Sequence, residues 1–255
     1  EHGALGVADK VIDVVAEPFF IDGREIRVTC SIGIALGSGT DTDAEVLLRN
    51  ADVAMYLAKD RGKNRAAMFA DHLHATVVER LELKADLVRA IDDGQLRNYY
   101  QPIVSLQTGR ITGVEALVRW QHPTRGLLQP DGFIALAEDT GLVIGLGRWV
   151  LREACQQLGA WQLSLPATSS LTMSVNLSVR QLVHEEIVQE VRDAIEDAGI
   201  DPSTLTLEIT ETTLMHDTEL TRQRLGELRD LGVSLAVDDF GTGYSSLQYV
   251  QRFPI

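Results

Sequence analysis

The chain has 255 residues, of which 45% are hydrophobic, and a formal net charge of −14. This length allows more than one domain, and the acidic balance argues against a duplex nucleic-acid binder, which needs basic patches for the phosphates. No apolar run reaches the length of a membrane span. The two cysteines, Cys30 and Cys155, lie far apart in apolar contexts, so we expect small core residues and a reducing compartment.

The first third of the chain shows helix and strand patterns in alternation. In chain order, the apolar spacing predicts a helix over residues 5–15, an alternating strand over 26–36 and a helix over 50–59. Residues 79–91 predict a further helix with an apolar stripe along one face. No Gly/Ser-rich linker precedes this helix, so we expect a stiff connection into a strand that begins at Leu96.

Beyond Leu96, short apolar strands alternate with helices. Strands are predicted over residues 111–120, 171–178, 205–211 and 233–237, and helices over 133–137, 146–158, 187–198 and 220–231. Such alternation is typical of βα units and of a mainly parallel sheet. We therefore expect an α/β fold, and in a βα barrel the catalytic groups gather at the C-terminal ends of the strands.

Oxygen-bearing side chains recur near the ends of these strands. Glu115, Asn176, Glu208 and the adjacent pair Asp238 and Asp239 would converge on one mouth of the barrel. Neighbouring acids repel each other, and a cation commonly neutralises them. Such oxygen ligands suit Mg²⁺, Mn²⁺ or Ca²⁺ better than zinc. Taken alone, the paired aspartates fit equally a helix cap with a solvated neighbour before a glycine turn.

Two residues near the predicted strand over 111–120 have alternative interpretations. Arg119, four residues beyond Glu115, is placed to hold a phosphate with its guanidinium fork. The alternative for Arg119 is a surface ion pair. His122 could be a metal ligand, but we interpret it as a turn residue beside the end of a strand.

Five segments in this region resemble one family. They are residues 100–103 (Tyr-Gln-Pro-Ile), 115–120 (Glu-Ala-Leu-Val-Arg-Trp), 175–178 (Val-Asn-Leu-Ser), 207–211 (Leu-Glu-Ile-Thr-Glu) and 238–245 (Asp-Asp-Phe-Gly-Thr-Gly-Tyr-Ser). Their order is similar to that of an EAL domain, a family that hydrolyses cyclic di-GMP. The likeness extends from about Leu96 to the last residue.

The resemblance implies an incomplete TIM-like βα barrel with a two-metal site for Mg²⁺ or Mn²⁺. It also implies that Gln101 binds substrate and that Glu211 anchors the loop after the paired aspartates. From its position alone, Glu211 fits equally the start of the next helix. The catalytic residues and metal ligands implied by the resemblance are Glu115, Asn176, Glu208, Asp238 and Asp239.

The first part of the chain resembles a different module. Residues 26–36, 50–59 and 61–65 are similar to a strand, a helix and a basic helix exit in the C-terminal half of a GGDEF domain, the diguanylate cyclase module. The Gly-Gly-Asp/Glu-Glu-Phe motif itself is absent from the sequence. We expect half of an α/β cyclase-like domain over residues 1–72, a helical linker over 73–92 and an EAL domain over 93–255.

Both ends of the chain look cut, so we expect a longer parent protein in which a lysine, a further glutamate and a glutamine beyond Ile255 complete the site. The resemblance implies that the parent hydrolyses cyclic di-GMP to the linear dinucleotide pGpG in bacterial second-messenger signalling, and that this chain alone is inactive. Two alternatives stay open. One is a degenerate EAL domain that senses cyclic di-GMP without cleaving it, and the other is a cyclase-dominated parent that the EAL part regulates.

The resemblance also gives expectations about partners and location. It implies a homodimer formed through the EAL domain and leaves room for a sensor domain upstream in the parent. The cysteine usage and the lack of a long apolar run lead us to expect a cytoplasmic chain. Membrane anchoring of the parent through other segments is left open.

Overall fold

Helices and strands alternate in the computed structural model, which describes residues 2–21, 24–37, 43–60, 62–164, 170–210, 219–238 and 253. The helices are α1 (His2–Ala16), α2 (Ala44–Asp60), α3 (Asp71–Asp92), α4 (Ile134–Thr140), α5 (Val143–Ser164), α6 (Val179–Leu182), α7 (Ile187–Ala198) and α8 (Glu219–Asp230). The strands are β1 (Phe19–Ile21), β2 (Arg24–Ile26), β3 (Ile32–Ile34), β4 (Ala66–Met68), β5 (Leu96–Val104), β6 (Ile111–His122), β7 (Gly126–Leu128), β8 (Thr172–Asn176), β9 (Leu205–Thr210) and β10 (Ser234–Asp238). None of the described helices is both long and apolar enough to cross a bilayer.

The chain divides into two compact units, Glu1–Ala85 and Asp86–Ile255. In the first unit, β1 pairs antiparallel with β2, and β3 pairs parallel with β4. Helix α2 packs closely on β3, where a Cβ atom added to Gly33 would lie 2.0 Å from the carbonyl oxygen of Ala51. Glycine is therefore required at this point of contact, since no larger residue fits without moving the helix backbone.

The single strand predicted over residues 26–36 is wrong. Strand β2 ends at Ile26 and β3 covers only Ile32–Ile34, with no strand in the residues between them. The two strands pair with different partners, so the chain leaves one sheet before it enters the next. The helices predicted over residues 5–15 and 50–59 are confirmed by α1 and α2.

The second unit is built on one sheet with the strand order β10-β9-β8-β6-β5, and β7 pairs with the outer part of β6. Strands β6, β8, β9 and β10 are parallel, which confirms the predicted βα arrangement, and the sheet is open over the described residues. Strand β5 is the exception to the parallel arrangement, since it pairs antiparallel with β6. A tight turn joins these two strands instead of a helix, with the Ser105 N–H donating to the Arg110 carbonyl at 2.9 Å and Gly109 at φ 66°.

The two faces of strand β6 differ: one faces the apolar core and the other is polar. Its even-numbered side chains from Val114 to His122 are buried, and Trp120 packs edge-on against Phe133 with ring centroids 5.6 Å apart. Its odd-numbered side chains from Glu115 to Arg119 are half-buried on the opposite face. Because the apolar face is covered by helices, the other face is free to carry polar groups. The predicted helices that alternate with these strands are confirmed as α4, α5, α7 and α8.

His122 and the two cysteines were expected to have structural roles. His122 is buried at the end of β6, its Nε2 lies 3.1 Å from an oxygen of Asp86, and its Nδ1 accepts from the backbone N–H of Thr124 at 3.2 Å. These contacts confirm a turn residue with both ring nitrogens engaged. Cys155 is fully buried, and burial raises the pKa of its thiol to about 12, whereas Cys30 is half-buried.

Candidate functional site

Five predicted site residues share one face of the sheet in the second unit. Gln101 lies opposite Glu115 on the β5–β6 ladder, and Asn176 lies opposite Glu208 on the β8–β9 ladder. Residues paired across strands point to the same face, as do residues two apart along one strand. We call this surface the site face, and it carries Gln101, Glu115, Asn176, Glu208 and Asp238.

Glu115 lies in the middle of β6, not near the end of the strand as the sequence predicted. The parallel pairing of β6 with β8 stops at Ala116, one residue beyond Glu115, and β6 then continues to His122 with β5 and β7 as partners. Glu115 is thus at the edge of the parallel part of the sheet, although its strand extends further. This position still places its carboxylate beside the ends of β8 and β9.

A direct hydrogen bond joins the first two strands of the site. The side-chain amide of Asn176 donates from Nδ2 to an Oε1 oxygen of Glu115 at 2.8 Å. The next residue, Leu177, extends the β8–β9 ladder through its N–H, which donates to the carbonyl of Glu208 at 2.8 Å. The amide nitrogen of Asn176 is therefore occupied, and its amide oxygen is the group that could bind a cation.

The chain after Asn176 is fixed by the start of α6. Ser178 caps this helix, accepting from the Gln181 N–H at 3.3 Å, while the Gln181 side chain accepts from the Ser178 N–H at 3.2 Å. This reciprocal arrangement is a capping box. Gln181 lies against Gly147 of α5, where an added Cβ would be 1.9 Å from the Gln181 amide nitrogen. The close contact holds the capping box in place, two residues from Asn176.

Glu208 is the half-buried carboxylate at the centre of the cluster. Burial is the main cause that raises its pKa, and the charges of Glu115 and Asp238 act in the same direction. A hydrogen bond with the buried Ser174 opposes this change. Three carboxylates thus lie close enough to affect one another, a condition that a bound cation would relieve.

The last described strand supplies one predicted acid, Asp238. Asp238 is exposed at the end of β10, on the site face. Asp239 and Glu211, for which the sequence predicted metal binding and loop anchoring, lie outside the described residues. The structure therefore brings together four of the five predicted ligands.

Arg119 and Gln101 lie on the same face, beside the acids. The Nη1 of Arg119 donates to the carbonyl of Val118 at 2.9 Å, and its Cζ lies 5.6 Å from the ring centroid of Tyr99. In the part of the chain that the structure describes, no carboxylate forms an ion pair with Arg119. The alternative of a surface ion pair thus has no support among these residues. Gln101 is exposed on β5, opposite Glu115.

Sequence reasoning missed Ser174 and Tyr99. Ser174 lies two residues before Asn176, and Tyr99 two residues before Gln101, so a period of two would have placed both on the site face. The sequence gives no indication of their partners, Glu208 and Arg119, because these depend on the register between strands.

A second cluster of potential ligands lies after α6 and in the first turn of α7. Ligand atoms of His184, Glu186 and Glu190 all lie within 4.8 Å of one another. Arg148 of α5 already pairs with both acids, at 3.1 Å from Glu186 and in close contact with Glu190, and these partners raise the pKa of its guanidinium. The charge of this cluster is therefore compensated by arginine.

The residues of the site face offer carboxylate and amide oxygens, the ligands that hard divalent cations prefer. A family model described as "EAL domain" matches residues 84–255. The chain belongs to the EAL domain family. Phosphodiesterases of the EAL family generally depend on a divalent metal. A second model, described as "Diguanylate cyclase, GGDEF domain", matches residues 3–65 and confirms the resemblance of the first part of the chain.

Relatives of this EAL chain include two proteins of Pseudomonas aeruginosa. "Cyclic di-GMP phosphodiesterase NbdA" is 42% identical over 255 residues, which are 100% of this chain and 32% of the relative. "Bifunctional diguanylate cyclase/cyclic di-GMP phosphodiesterase MucR" is 42% identical over 251 residues, 98% of this chain and 36% of the relative. The chain thus spans about a third of the length of these curated relatives.

A solved structure with the same fold contains a ligand. The "PaMucR Phosphodiesterase, c-di-GMP complex" has a TM-score of 0.64 and 44% sequence identity, and covers 68% of this chain and 69% of its own. The likeness confirms the expected TIM-like EAL fold for the second unit, which is open over the described residues here.

Proposed function

We propose that the protein carrying this chain is a metal-dependent phosphodiesterase that hydrolyses cyclic di-GMP to the linear dinucleotide pGpG. The observation that carries the proposal is the convergence of Glu115, Asn176, Glu208 and Asp238 on the site face of an EAL domain. Relatives named for this activity and a related structure in complex with c-di-GMP support the choice of substrate.

The four oxygen-bearing residues would hold Mg²⁺ or Mn²⁺, with Asp239 completing a two-metal site. When bound, divalent cations supply an activated water and neutralise charge that develops on the phosphate. Glu115 orients Asn176 by accepting a hydrogen bond from its amide nitrogen, so the amide oxygen is the atom that would bind a cation. Glu208 contributes an ionised carboxylate, whose pKa is raised mainly by burial and further by the charges of Glu115 and Asp238.

Substrate binding in this proposal depends on Arg119 and Gln101. The guanidinium of Arg119 has donors that no described carboxylate occupies, so it can hold a phosphate oxygen of cyclic di-GMP. Gln101 offers an amide directly opposite Glu115 and is suited to hydrogen bonds with the substrate. Glu211 would anchor the loop that follows Asp239.

Chelation followed by metal replacement tests the proposal in the parent protein. Cleavage of cyclic di-GMP to pGpG, followed by chromatography, should stop in chelator and return with Mg²⁺ or Mn²⁺. Ca²⁺ should bind but support little turnover, because its coordination is larger and looser. Undiminished cleavage in chelator would contradict the role given to the metal.

A matched pair of variants distinguishes the two clusters of acids. Glu115→Ala removes an acid of the site face, and Glu186→Ala removes an exposed acid of the cluster that Arg148 compensates. We expect Glu115→Ala to abolish cleavage and Glu186→Ala to leave it unchanged. If the wild-type parent binds cyclic di-GMP but never cleaves it, the protein is a degenerate sensor and the proposal is wrong.

Several expectations about the parent protein remain predictions. We propose a homodimer through the EAL domain and a cytoplasmic location for this chain, and a sensor domain upstream in the parent is left open. The domain limits of 1–72, 73–92 and 93–255 are likewise predictions, as is the inactivity of the isolated chain.

A further inference from the structure

Tyr99 is an exposed aromatic residue on the site face that the proposed function does not use. It lies on β5, two residues before Gln101, and is 49% exposed. The guanidinium carbon of Arg119 lies over its ring, 5.6 Å from the centroid. This distance is within the range of a cation–π interaction, in which the positive charge is attracted to the face of the ring.

Two contacts hold the guanidinium of Arg119. Its Nη1 donates to the carbonyl of Val118 at 2.9 Å, and the ring of Tyr99 lies against it. Arginine has five N–H donors, so these contacts leave most of them open to an anionic ligand. Within the described ranges no carboxylate takes them up.

Arg97 increases the positive charge at this point. It lies directly opposite Arg119 on the β5–β6 ladder, so both side chains start from the same face. The Nη1 of Arg97 donates to the carbonyls of Gly94 at 2.7 Å and Leu96 at 2.6 Å, which directs its guanidinium to the turn before β5. In a chain with a net charge of −14, two neighbouring arginines on one face form a local site of attraction for an anion.

We propose that Tyr99 is a positioning residue, whose ring fixes the guanidinium of Arg119 so that its open donors meet a phosphate oxygen of the cyclic dinucleotide. This inference rests on the proposed function, in which Arg119 holds that phosphate. Tyr99 acts through Arg119 and does not contact the reacting atoms.

The physical basis is the conformational freedom of arginine. Its side chain carries a large rotamer entropy, and part of this is lost when the guanidinium is held for a ligand. A ring that already restricts the guanidinium reduces the loss on binding. The attraction comes from the face of the aromatic ring, so a phenylalanine at this position should keep the interaction with Arg119 and a leucine should lose it.

A double-mutant cycle in the parent protein tests this role. We expect Tyr99→Leu to raise KM for cyclic di-GMP by roughly two- to fivefold with little change in kcat, in line with the strength of an exposed cation–π pair. Tyr99→Phe should retain the wild-type KM. In an Arg119→Ala background, Tyr99→Leu should have no further effect, because the partner through which it acts is gone. Ile103→Ala, on the same strand and face beyond Gln101, is the control and should leave KM unchanged.

A second measurement does not depend on the substrate. The side-chain Nε–H resonance of Arg119, identified by its loss in Arg119→Ala, should be shifted upfield by the ring current of Tyr99. The shift should disappear in Tyr99→Leu and return in Tyr99→Phe. A parent protein without phosphodiesterase activity would overturn the proposed function, whereas these resonances would still test the pair.

The inference is wrong under any of three results. One is a Tyr99→Phe variant that loses as much affinity as Tyr99→Leu. Another is a Tyr99→Leu effect that persists in full without Arg119, which would mean that Tyr99 contacts the ligand itself. The third is an Arg119 resonance that is the same with and without the ring.

Discussion

Glu208 is a carboxylate whose ionised form the fold disfavours. Burial of its carboxylate raises the pKa, and the charges of Glu115 and Asp238 add to this effect. A carboxyl group whose pKa is raised on folding binds its proton more tightly in the folded than in the unfolded state. Its ionised form therefore destabilises the folded protein at neutral pH, and a bound divalent cation would remove this penalty.

We expect Glu208→Gln to stabilise the metal-free protein and to weaken its stabilisation by metal. In chelator at neutral pH, the free energy of unfolding of the variant should exceed that of the wild type by roughly 0.5–1 kcal/mol. The difference should shrink as the pH falls through the raised pKa of Glu208, because the wild-type side chain then becomes neutral. Denaturant titrations with and without Mg²⁺ measure both effects. A variant less stable than the wild type in chelator would contradict the argument.

Arg119 and Glu115 share β6 but have different proposed roles. Glu115→Ala should lower kcat by about a thousandfold or more, because a metal site supplies several kcal/mol to the transition state. Arg119→Ala should instead lower kcat/KM by roughly ten- to a hundredfold, because one charged hydrogen bond to the substrate is lost. Most of this change should be a rise in KM. Calorimetric titration of metal into both variants is the measurement. Equal loss of metal affinity in the two would contradict these roles.

At the scale of single residues, the sequence predicted which acids face the site but not how they interact. The position of Glu115, Asn176, Glu208 and Asp238 near predicted strand ends was enough to expect them at one mouth of the barrel, and the structure places them on one face. The hydrogen bond from Asn176 to Glu115 joins residues 61 positions apart, and depends on the register of β6 against β8. That register follows from packing of the whole sheet, which local sequence patterns do not specify.

Helix α5 fixes the end of β8 through one glycine. A Cβ on Gly147 would lie 1.9 Å from the amide nitrogen of Gln181 and 2.4 Å from its Cδ. Gln181 is buried and takes part in the capping box with Ser178, so its side chain cannot turn away without losing those hydrogen bonds. Close packing of two helices thus depends on the absence of a side chain at this position.

A pair of glycine variants in the same helix measures this contact. Gly147→Ala should destabilise the protein by about 1–3 kcal/mol, the usual effect of overpacking. Gly145→Ala is the matched control, since its Cβ would meet only Ile91 at an ordinary 3.7 Å. That substitution should stabilise the protein by up to about 1 kcal/mol, because alanine is favoured over glycine inside a helix. Chemical denaturation of both variants measures their free energies of unfolding. Equal changes in the two would show that the contact at Gly147 does not affect stability.

At the scale of elements, helices were predicted more reliably than strand pairings. The spacing of apolar residues indicated α5 and α7 because a helix is stabilised by contacts within its own segment. Strand partners are set by distant segments, so the sequence failed for residues 26–36 and gave no direct sign that β5 is antiparallel. The short connection over residues 105–110 could have indicated that β5 and β6 are antiparallel, since parallel neighbouring strands require a longer crossover.

The two units of the molecule differ in the size of their buried cores. Among the described residues, the buried apolar side chains of the first unit are Ala8, Ile12, Ala54, Leu57 and Ala58. The second unit buries large side chains, including Trp120 and Phe133, in addition to many leucines and valines. Burial of apolar area is the main stabilising contribution in folding. The first unit should therefore be the less stable of the two.

Thermal unfolding of the full chain should show this difference because all three tryptophans, Trp120, Trp149 and Trp161, lie in the second unit. Far-ultraviolet circular dichroism reports helices of both units, so its transition should begin at a lower temperature than that of tryptophan fluorescence. Gly33→Ala should lower only the first transition, since its Cβ would lie 2.0 Å from the Ala51 carbonyl oxygen and 2.3 Å from the Met55 nitrogen. Coincident transitions in the wild type, or a lowered tryptophan transition in Gly33→Ala, would mean that the two units unfold as one.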